Sequence, residues 1–173
     1  MSPDLASRIR EAALLEGDFV LSSGQRSSFY VDKYLFSTEP DLLRDVAAAL
    51  SRELPDGVER LAGVELGAVP LVVATALVTG LPYVIVRKSA KGYGTGRDIE
   101  GNLERGERVA LIEDVVTTGT QAVQAARNLA EAGAEIITIV AVLDRREVPK
   151  ERLEEFPFAA LLRMEDLRVS NED

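Results

Sequence analysis

Residues 109–121, which read VALIEDVVTTGTQ, are the most informative segment of the 173-residue chain. An apolar run ends in two adjacent acids, Glu113 and Asp114, and a turn of threonines and one glycine follows before an alanine-rich helical pattern begins. This order predicts a strand that leads through a short loop into a helix. Such a loop offers N–H and hydroxyl groups to a phosphate at a helix N-terminus, and the acids can accept hydrogen bonds from sugar hydroxyls. The segment therefore predicts a site for a sugar phosphate.

Strand and helix patterns alternate on both sides of this segment. Strands are predicted at 61–65, 83–86, 108–112 and 136–143, and helices at 39–54, 69–78 and 121–132. Closer to the N-terminus, the pattern predicts a helix that begins at Pro3 and stops at Gly17, a strand at 19–21, and extended chain at 29–31. Nearly continuous apolar strands between helices predict a single α/β domain, whose mostly parallel sheet is covered on both faces. Ligands are then expected at the carboxyl ends of the strands.

The composition excludes several classes of chemistry. Without cysteine or histidine, the chain has no disulfide, thiol nucleophile, Ser-His-Asp triad or histidine-bound metal. A metal would have to be a hard, oxygen-bound cation such as Mg²⁺. The net charge of −9 argues against a general nucleic-acid surface. No signal peptide and no apolar stretch of membrane-spanning length is found, so a cytoplasmic protein without membrane contact is predicted.

A basic, glycine-rich segment interrupts the alternation. Residues 89–102 contain four glycines and few apolar side chains, which predicts a loop that closes as a lid over an anionic substrate. Four cations fall within eleven residues, where random placement would put about 1.3; they are Arg87, Lys88, Lys91 and Arg97. The glycines at 92, 94 and 96 do not have the G-x-G-x-x-G spacing, and no P-loop sequence occurs, so dinucleotide and P-loop NTPase sites are excluded.

Residues 109–121 resemble the phosphoribosyl pyrophosphate (PRPP) binding motif of type I phosphoribosyltransferases. Residues 87–94, RKSAKGYG, resemble the flexible catalytic loop of orotate phosphoribosyltransferases, with Tyr93 where that family usually has histidine. Residues 21–32, 63–70 and 144–145 support the same family, and the resemblance runs from Phe19 to about Leu167. It implies the type I phosphoribosyltransferase fold in a single domain spanning residues 1–173. A small N-terminal hood is expected at about 17–36 and a flexible loop at about 88–102.

The resemblance also implies an activity: transfer of ribose 5-phosphate from PRPP to orotate, which gives orotidine 5′-monophosphate and pyrophosphate in de novo pyrimidine biosynthesis. Its implied catalytic residues are Lys91, Glu113 and Asp114. The implied PRPP ligands are those three with Arg87, Lys88, Tyr93, Val115, Val116, Thr117, Thr118, Gly119, Thr120, Gln121, Leu66 and Gly67. The implied orotate ligands are Thr117, Arg145, Tyr30 and Val31.

The family likeness implies that Mg²⁺ is carried mainly by substrate oxygens and water, not by a protein ligand set. It further implies a homodimer in which the loop bearing Lys91 and Tyr93 reaches into the partner's site. Two alternatives stay open. One is a phosphoribosyltransferase for another base, against which the hood and Asp144-Arg145 argue. The other is a PRPP-sensing regulator on the same fold, against which the acidic charge and the absence of an added DNA-binding helix pair argue.

Overall fold

The computed structural model describes residues 3–20, 24, 26–88 and 98–167. Its helices are α1 (Pro3–Ala13), α2 (Lys33–Ser37), α3 (Pro40–Glu53), α4 (Val69–Thr79), α5 (Thr120–Glu131) and α6 (Met164–Leu167). Its strands are β1 (Leu14–Val20), β2 (Arg26–Val31), β3 (Arg60–Val64), β4 (Tyr83–Val86), β5 (Ile99–Glu100), β6 (Arg108–Val116), β7 (Glu135–Asp144), β8 (Arg152–Leu153) and β9 (Phe156–Arg163). Among these helices, none is long and apolar enough to cross a membrane.

A seven-stranded sheet forms the centre, in the order β5-β4-β3-β6-β7-β9-β8. The five inner strands run parallel, and the two-residue strands β5 and β8 pair antiparallel at the edges. Apolar clusters cover both faces: one includes residues of α1, α3 and α4, and the other includes residues of α5. Leu111 and Ile112, adjacent on β6, belong to different clusters because successive strand side chains point to opposite faces. The predicted α/β architecture is confirmed.

Strand β6 is longer than the sequence predicted. The expected strand ended at Ile112, but β6 continues to Val116 and includes both acids of the motif. The reason is its neighbour β7, which pairs with β6 as far as Val116 opposite Asp144. Pairing along a long parallel strand keeps Glu113 and Asp114 in extended conformation, although the apolar run has already ended.

The N-terminal region differs from the prediction at one boundary. The first helix ends at Ala13, not at Gly17, and β1 follows without a break. The positions of Leu14 and Leu15 fit the periodicity of a helix as well as that of a strand. They adopt strand conformation because they pair with β2, where Leu14 lies opposite Val31. The β1–β2 hairpin and α2 together form the N-terminal unit of the fold, and Asp32 caps α2 by accepting a hydrogen bond from the Tyr34 N–H.

Three strands of the sheet, β5, β8 and β9, were missed by the sequence analysis. Within the expected loop at 88–102, Ile99 and Glu100 form the short strand β5 against β4, and residues 89–97 lie outside the described residues. Two residues are too few to show a strand period. The C-terminal strand β9 lies parallel to β7 and buries Phe156, Phe158 and Leu162, and no strand had been predicted there.

Candidate active site

Four loops lie at the carboxyl ends of the parallel strands. Residues 65–68 follow β3, Arg87 and Lys88 follow β4, residues 117–119 follow β6, and Arg145 follows β7. Strands β3 and β6 are neighbours, and the chain runs outward from them in opposite directions, which makes a topological switch point. Ligands of open α/β sheets bind at this place, outside the carboxyl ends of the strands. The sequence expectation of a site at these ends agrees with this arrangement.

The turn after β6 is built to receive an anion. Gly119 has a φ of 88°, in the left-handed region that favours glycine, and it precedes the first residue of α5. The N-cap residue of the twelve-residue helix α5 is Gly119, which has no side chain, and the Thr118 hydroxyl accepts a 3.3 Å hydrogen bond from the Thr120 N–H. The positive end of the helix dipole lies at this turn. The Thr118 and Thr120 hydroxyls lie 3.1 Å apart, and both side chains are exposed. Thr117 and Gln121 are exposed as well.

The two acids of the motif are buried. Glu113 is 6% exposed and Asp114 is 4% exposed. Burial, and secondly the charge of Asp114, raise the pKa of Glu113 to about 7, while a main-chain hydrogen bond and the ammonium groups of Lys33 and Lys88 oppose the rise. Asp114 accepts a hydrogen bond of 2.6 Å from the Val115 N–H. The carboxyl groups therefore sit in a poorly hydrated place where a charge change has a large energetic effect.

An ion pair joins the N-terminal unit to this pair of acids. Lys33 Nζ lies 2.7 Å from Asp114 Oδ2, and the lysine is 30% exposed. Burial lowers the pKa of Lys33, but the hydrogen bond to Asp114 and the charge of that carboxylate outweigh it, so the pKa is raised. A Cβ atom at Gly67 would overlap Asp114 Oδ2 and lie 3.1 Å from Lys33 Nζ. Sequence analysis missed Lys33, because only its position directly after the hood strand set it apart from any surface lysine.

Arg87 and Lys88 lie beside the loop that follows β3. The Arg87 guanidinium is 3.6 Å from Glu65 and 3.5 Å from Glu100, and the Lys88 N–H donates a 2.7 Å hydrogen bond to Glu65 Oε1. The peptide bond between Glu65 and Leu66 is cis. A cavity of about 130 Å³ extends from this point to α5, and its lining includes Arg87, Lys88 and Gln121. Lys91 and Tyr93 fall outside the described residues.

Two consecutive arginines after β7 have different surroundings. Arg146 pairs with the buried Asp144 at 2.8–2.9 Å, donates to the carbonyl oxygens of Lys150 and Arg152, and lies 4.5 Å from the Phe158 ring centroid. Arg145 Nε is buried without a hydrogen-bond partner. Within the described residues, the buried side-chain donors in this condition are Ser37 Oγ, Arg87 Nε and Arg145 Nε. Two of these three atoms thus belong to guanidinium groups predicted to bind substrate.

The other predicted ligands divide between exposed side chains and buried ones. Tyr30 is 39% exposed, with its ring centroid 5.6 Å from that of Phe19, and Leu66 is 65% exposed. Val31 and Val116 are buried in the two apolar clusters, and Val115 packs against the first of them. These valines can contact a ligand only through their main-chain groups. The Val116 carbonyl oxygen already accepts a hydrogen bond from the Arg145 N–H.

Comparison with known proteins agrees with this geometry. The phosphoribosyl transferase domain family matches residues 38–157. The orotate phosphoribosyltransferase of Natronomonas pharaonis is 48% identical over 153 residues, which is 88% of this chain and 87% of that protein. The chain belongs to the orotate phosphoribosyltransferase family. The predicted family assignment is therefore confirmed.

Solved structures of orotate phosphoribosyltransferases share the fold. The enzyme from Aeropyrum pernix superimposes with a TM-score of 0.82 at 29% identity, covering 96% of each chain. The Mycobacterium tuberculosis orotate phosphoribosyltransferase in complex with PRPP gives a TM-score of 0.77 at 25% identity, covering 95% of this chain and 97% of that one. The type I phosphoribosyltransferase fold predicted from the sequence is confirmed by these likenesses.

For a member of the orotate phosphoribosyltransferase family, the donors at the carboxyl ends of the strands include the hard carboxylate oxygens that Mg²⁺ prefers. Among the described residues, no group of three or more acidic side chains could hold a metal. Glu113 and Asp114 are hard oxygen donors, but Lys33 already pairs with Asp114. Mg²⁺ commonly binds proteins through one or two carboxylates and completes its shell with substrate phosphates and water, which this site can accommodate.

Proposed function

We propose that this chain transfers ribose 5-phosphate from PRPP to orotate, releasing orotidine 5′-monophosphate and pyrophosphate, as a step of de novo pyrimidine biosynthesis. The observation that carries the proposal is the convergence, at the switch point of the sheet, of the N-terminus of α5, two buried acids and two arginines whose Nε atoms have no hydrogen-bond partner among the described residues. A relative that is 48% identical to this chain is named orotate phosphoribosyltransferase.

The 5-phosphate of PRPP binds at the turn before α5. Main-chain N–H groups of Thr118, Gly119 and Gln121 and the hydroxyls of Thr118 and Thr120 surround an anion there, and the helix dipole favours its negative charge. The main chain of Val115 and Val116 leads into this turn and borders the ribose. Such a site binds through the backbone, so its geometry is set before the substrate arrives.

The acids act on the ribose. Glu113 and Asp114 accept hydrogen bonds from the ribose hydroxyls, and their negative charge favours the cationic ribosyl centre that develops as pyrophosphate leaves. Because they are buried, this electrostatic effect is stronger than it would be in water. Mg²⁺ bound mainly through PRPP oxygens and water would supply positive charge to offset the phosphates, with Glu113 and Asp114 as the nearby hard oxygen donors.

Pyrophosphate departure is assisted by cations from the segment after β4. Arg87 and Lys88 line the cavity that extends to α5, and Lys91 and Tyr93 complete the set from the flexible loop at about 88–102. The 65–68 loop contributes main-chain groups at Leu66 and Gly67, since Gly67 has no side chain to block close approach. The C1–O bond of PRPP breaks with its electron pair leaving on pyrophosphate, and orotate N1 releases its proton to pyrophosphate or solvent as the new C–N bond forms. Neither step requires a histidine, which this chain lacks.

Orotate is held between the hood and the end of β7. The Arg145 guanidinium pairs with acceptor oxygens of the base, because a planar fork of donors suits carboxylate and carbonyl groups. Tyr30, the main chain of Val31 and the Thr117 hydroxyl border the ring. The hood at about 17–36 and the rest of the chain act as a single catalytic domain.

The active unit is a homodimer in the cytoplasm, with the loop carrying Lys91 shared between subunits. Helix α4 supports this arrangement: it has no charged residue, and Leu77 and Val78 near its end are 83% and 49% exposed. A Leu77→Glu substitution places a charge on this face. Sedimentation of the variant as a monomer, beside a dimeric wild type, supports the interface; an unchanged dimer locates the contact elsewhere.

The decisive assay follows orotate absorbance in the presence of PRPP, with and without Mg²⁺. Orotate is consumed only when PRPP and Mg²⁺ are both present, and chelation by EDTA stops turnover without lowering the melting temperature. Adenine, guanine, hypoxanthine and uracil serve as control bases. Consumption of one of these bases with no reaction of orotate would make the protein a phosphoribosyltransferase for that other base. Tight PRPP binding with no transfer to any base would favour the alternative of a PRPP-sensing regulator.

A further inference from the structure

Lys33 is the first residue of α2, directly after the hood strand β2. The Asp32 side chain caps α2 through the Tyr34 N–H at 3.0 Å, and the Asp32 N–H bonds to the Ala13 carbonyl at 2.9 Å. The backbone that carries Lys33 is therefore held on both sides. Its ammonium also lies 5.6 Å from the Tyr34 ring centroid. These contacts restrict where the lysine can reach.

The lysine reaches the point where three segments meet. Its Nζ is 2.7 Å from Asp114 Oδ2, and both atoms lie where a side chain at Gly67 would be. A carboxylate that is 4% exposed needs a paired charge, because an isolated buried ion is strongly disfavoured. Lys33 supplies that charge from a part of the chain 81 residues away in sequence.

Charge around the site makes this pairing consequential. Glu65, Glu113 and Asp114 bring three acids to a place that must admit PRPP, which is itself highly anionic, and the 65–68 loop, Glu-Leu-Gly-Ala, contains no cation of its own. Arg87 is engaged with Glu65 and Glu100. Lys33 is thus the cation that offsets Asp114, and it does so from the hood and not from the catalytic loop.

We infer that Lys33 is a positioning residue of this active site, which holds the Asp114 carboxylate over Gly67 in the orientation that receives the ribose hydroxyls of PRPP. The inference rests on the proposed function for the identity of the ligand. Lys33 does not touch the reacting bond; it acts through Asp114. Because Lys33 follows the strand that carries Tyr30, it also ties the hood to the ribose side of the site.

The test compares Lys33→Met, Lys33→Arg and Lys150→Met. Lys33→Met keeps the length of the side chain and removes its charge; Lys150 is an exposed control. Steady-state kinetics give kcat and KM for each substrate, and calorimetry measures PRPP affinity directly. We expect Lys33→Met to weaken PRPP binding by at least about tenfold, as losing a charge-assisted hydrogen bond does. KM for orotate should change less than threefold, and Lys33→Arg should recover most of the PRPP affinity.

A double-mutant cycle with Asp114→Asn decides whether the effect runs through that carboxylate. Once Asp114 is neutral, Lys33→Met should cause no further loss of PRPP affinity; two losses that simply add would overturn the inference. A lower melting temperature with unchanged PRPP affinity would also overturn it, since that is the result of a purely structural role. Calorimetry keeps this test separate from the proposed function: wild type that binds PRPP but does not consume orotate contradicts the activity and leaves the Lys33 measurement valid.

Discussion

Arg145 and Arg146 are adjacent in sequence, yet the Arg146 guanidinium is hydrogen-bonded to protein groups while the buried Arg145 Nε has no hydrogen-bond partner among the described residues. Arg146 binds the buried Asp144 with two nitrogens and also bonds to two carbonyl oxygens of the following loop. Buried donors are nearly always hydrogen-bonded in folded proteins, so an exception calls for an explanation. Substrate binding by Arg145 and loop support by Arg146 explain the difference.

Exchange of each arginine for alanine should separate binding from stability. Arg145→Ala should raise KM for orotate by at least about tenfold while the melting temperature stays within about 2 °C, because the protein loses no internal bond of that guanidinium. Arg146→Ala leaves Asp144 as an unpaired buried charge and should cost about 3 kcal/mol of unfolding free energy. Urea unfolding and orotate kinetics measure both effects. The assignment fails if Arg145→Ala is the less stable variant and keeps normal orotate kinetics.

The raised pKa of Glu113 predicts a pH-dependent stability. Its folded-state pKa of about 7 lies above the ordinary 4.5, so the folded protein binds the proton more tightly than the unfolded chain does. The associated stability is present below about pH 4.5 and is lost as the pH rises to about 7. Glu113→Gln abolishes this dependence. At pH 8 the variant should be more stable than wild type by an amount on the order of 3 kcal/mol, and at pH 4.5 the two should be close.

Denaturant melts from pH 4.5 to 8.5 measure this difference, and Glu135→Gln, at an exposed site on β7, is the matched control. A constant gap between wild type and Glu113→Gln across the range would contradict the shifted titration. Activity should fall in Glu113→Gln even where stability rises, because the amide cannot supply the negative charge proposed for the ribose site.

Gly67 should not tolerate a side chain. In Gly67→Ala, the new Cβ overlaps Asp114 Oδ2, so the carboxylate must turn away from its present place beside Lys33. We expect PRPP affinity to fall by more than tenfold with only a modest change in melting temperature, since the overlap is with one side chain at an open edge. Gly17→Ala, where the nearest atoms are on the Phe19 ring at 3.1 Å, is a control glycine away from the acids. Full PRPP affinity in Gly67→Ala would show that Asp114 can leave this place without consequence.

Lys91→Ala should lose turnover far more than stability. The lysine belongs to the expected catalytic loop and is proposed to act on the departing pyrophosphate, so kcat should drop by at least about a hundredfold while the melting temperature is unchanged. Lys150→Ala, an exposed lysine after β7, should keep full activity. Loss of thermal stability with activity retained would contradict the assignment of Lys91 to the loop's catalytic function.

The sequence predicted most of the alternating helices and strands, because most of the inner strands are apolar and short helices separate them. The motif at 109–121 carried strand, turn and helix in one segment, and the structure places them so. The pattern failed where pairing, and not composition, decides the conformation. Leu14 joined a strand because of its partner Val31, and β6 ran on through its acids because β7 is long.

The candidate site was only partly predictable for a related reason. The family resemblance named Arg145 and the 117–121 turn, and the structure places both at carboxyl ends of strands, which a parallel sheet brings together. Their binding of substrate stays a prediction. Lys33 could not be found from the sequence, because its contact with Asp114 depends on how the hood packs over the sheet. Nor does the sequence reveal that Arg146 is engaged and Arg145 is not; that distinction arises from the buried carboxylate of Asp144 and the course of the loop after it.

A crystal structure of the protein soaked with PRPP and Mg²⁺ tests the central claim most directly. The account predicts the 5-phosphate on the main-chain N–H groups at 118–121, the ribose hydroxyls on Glu113 and Asp114, and the diphosphate toward Gly67 and Arg87. PRPP bound elsewhere, or bound here with neither acid in contact with the ribose hydroxyls, would contradict it.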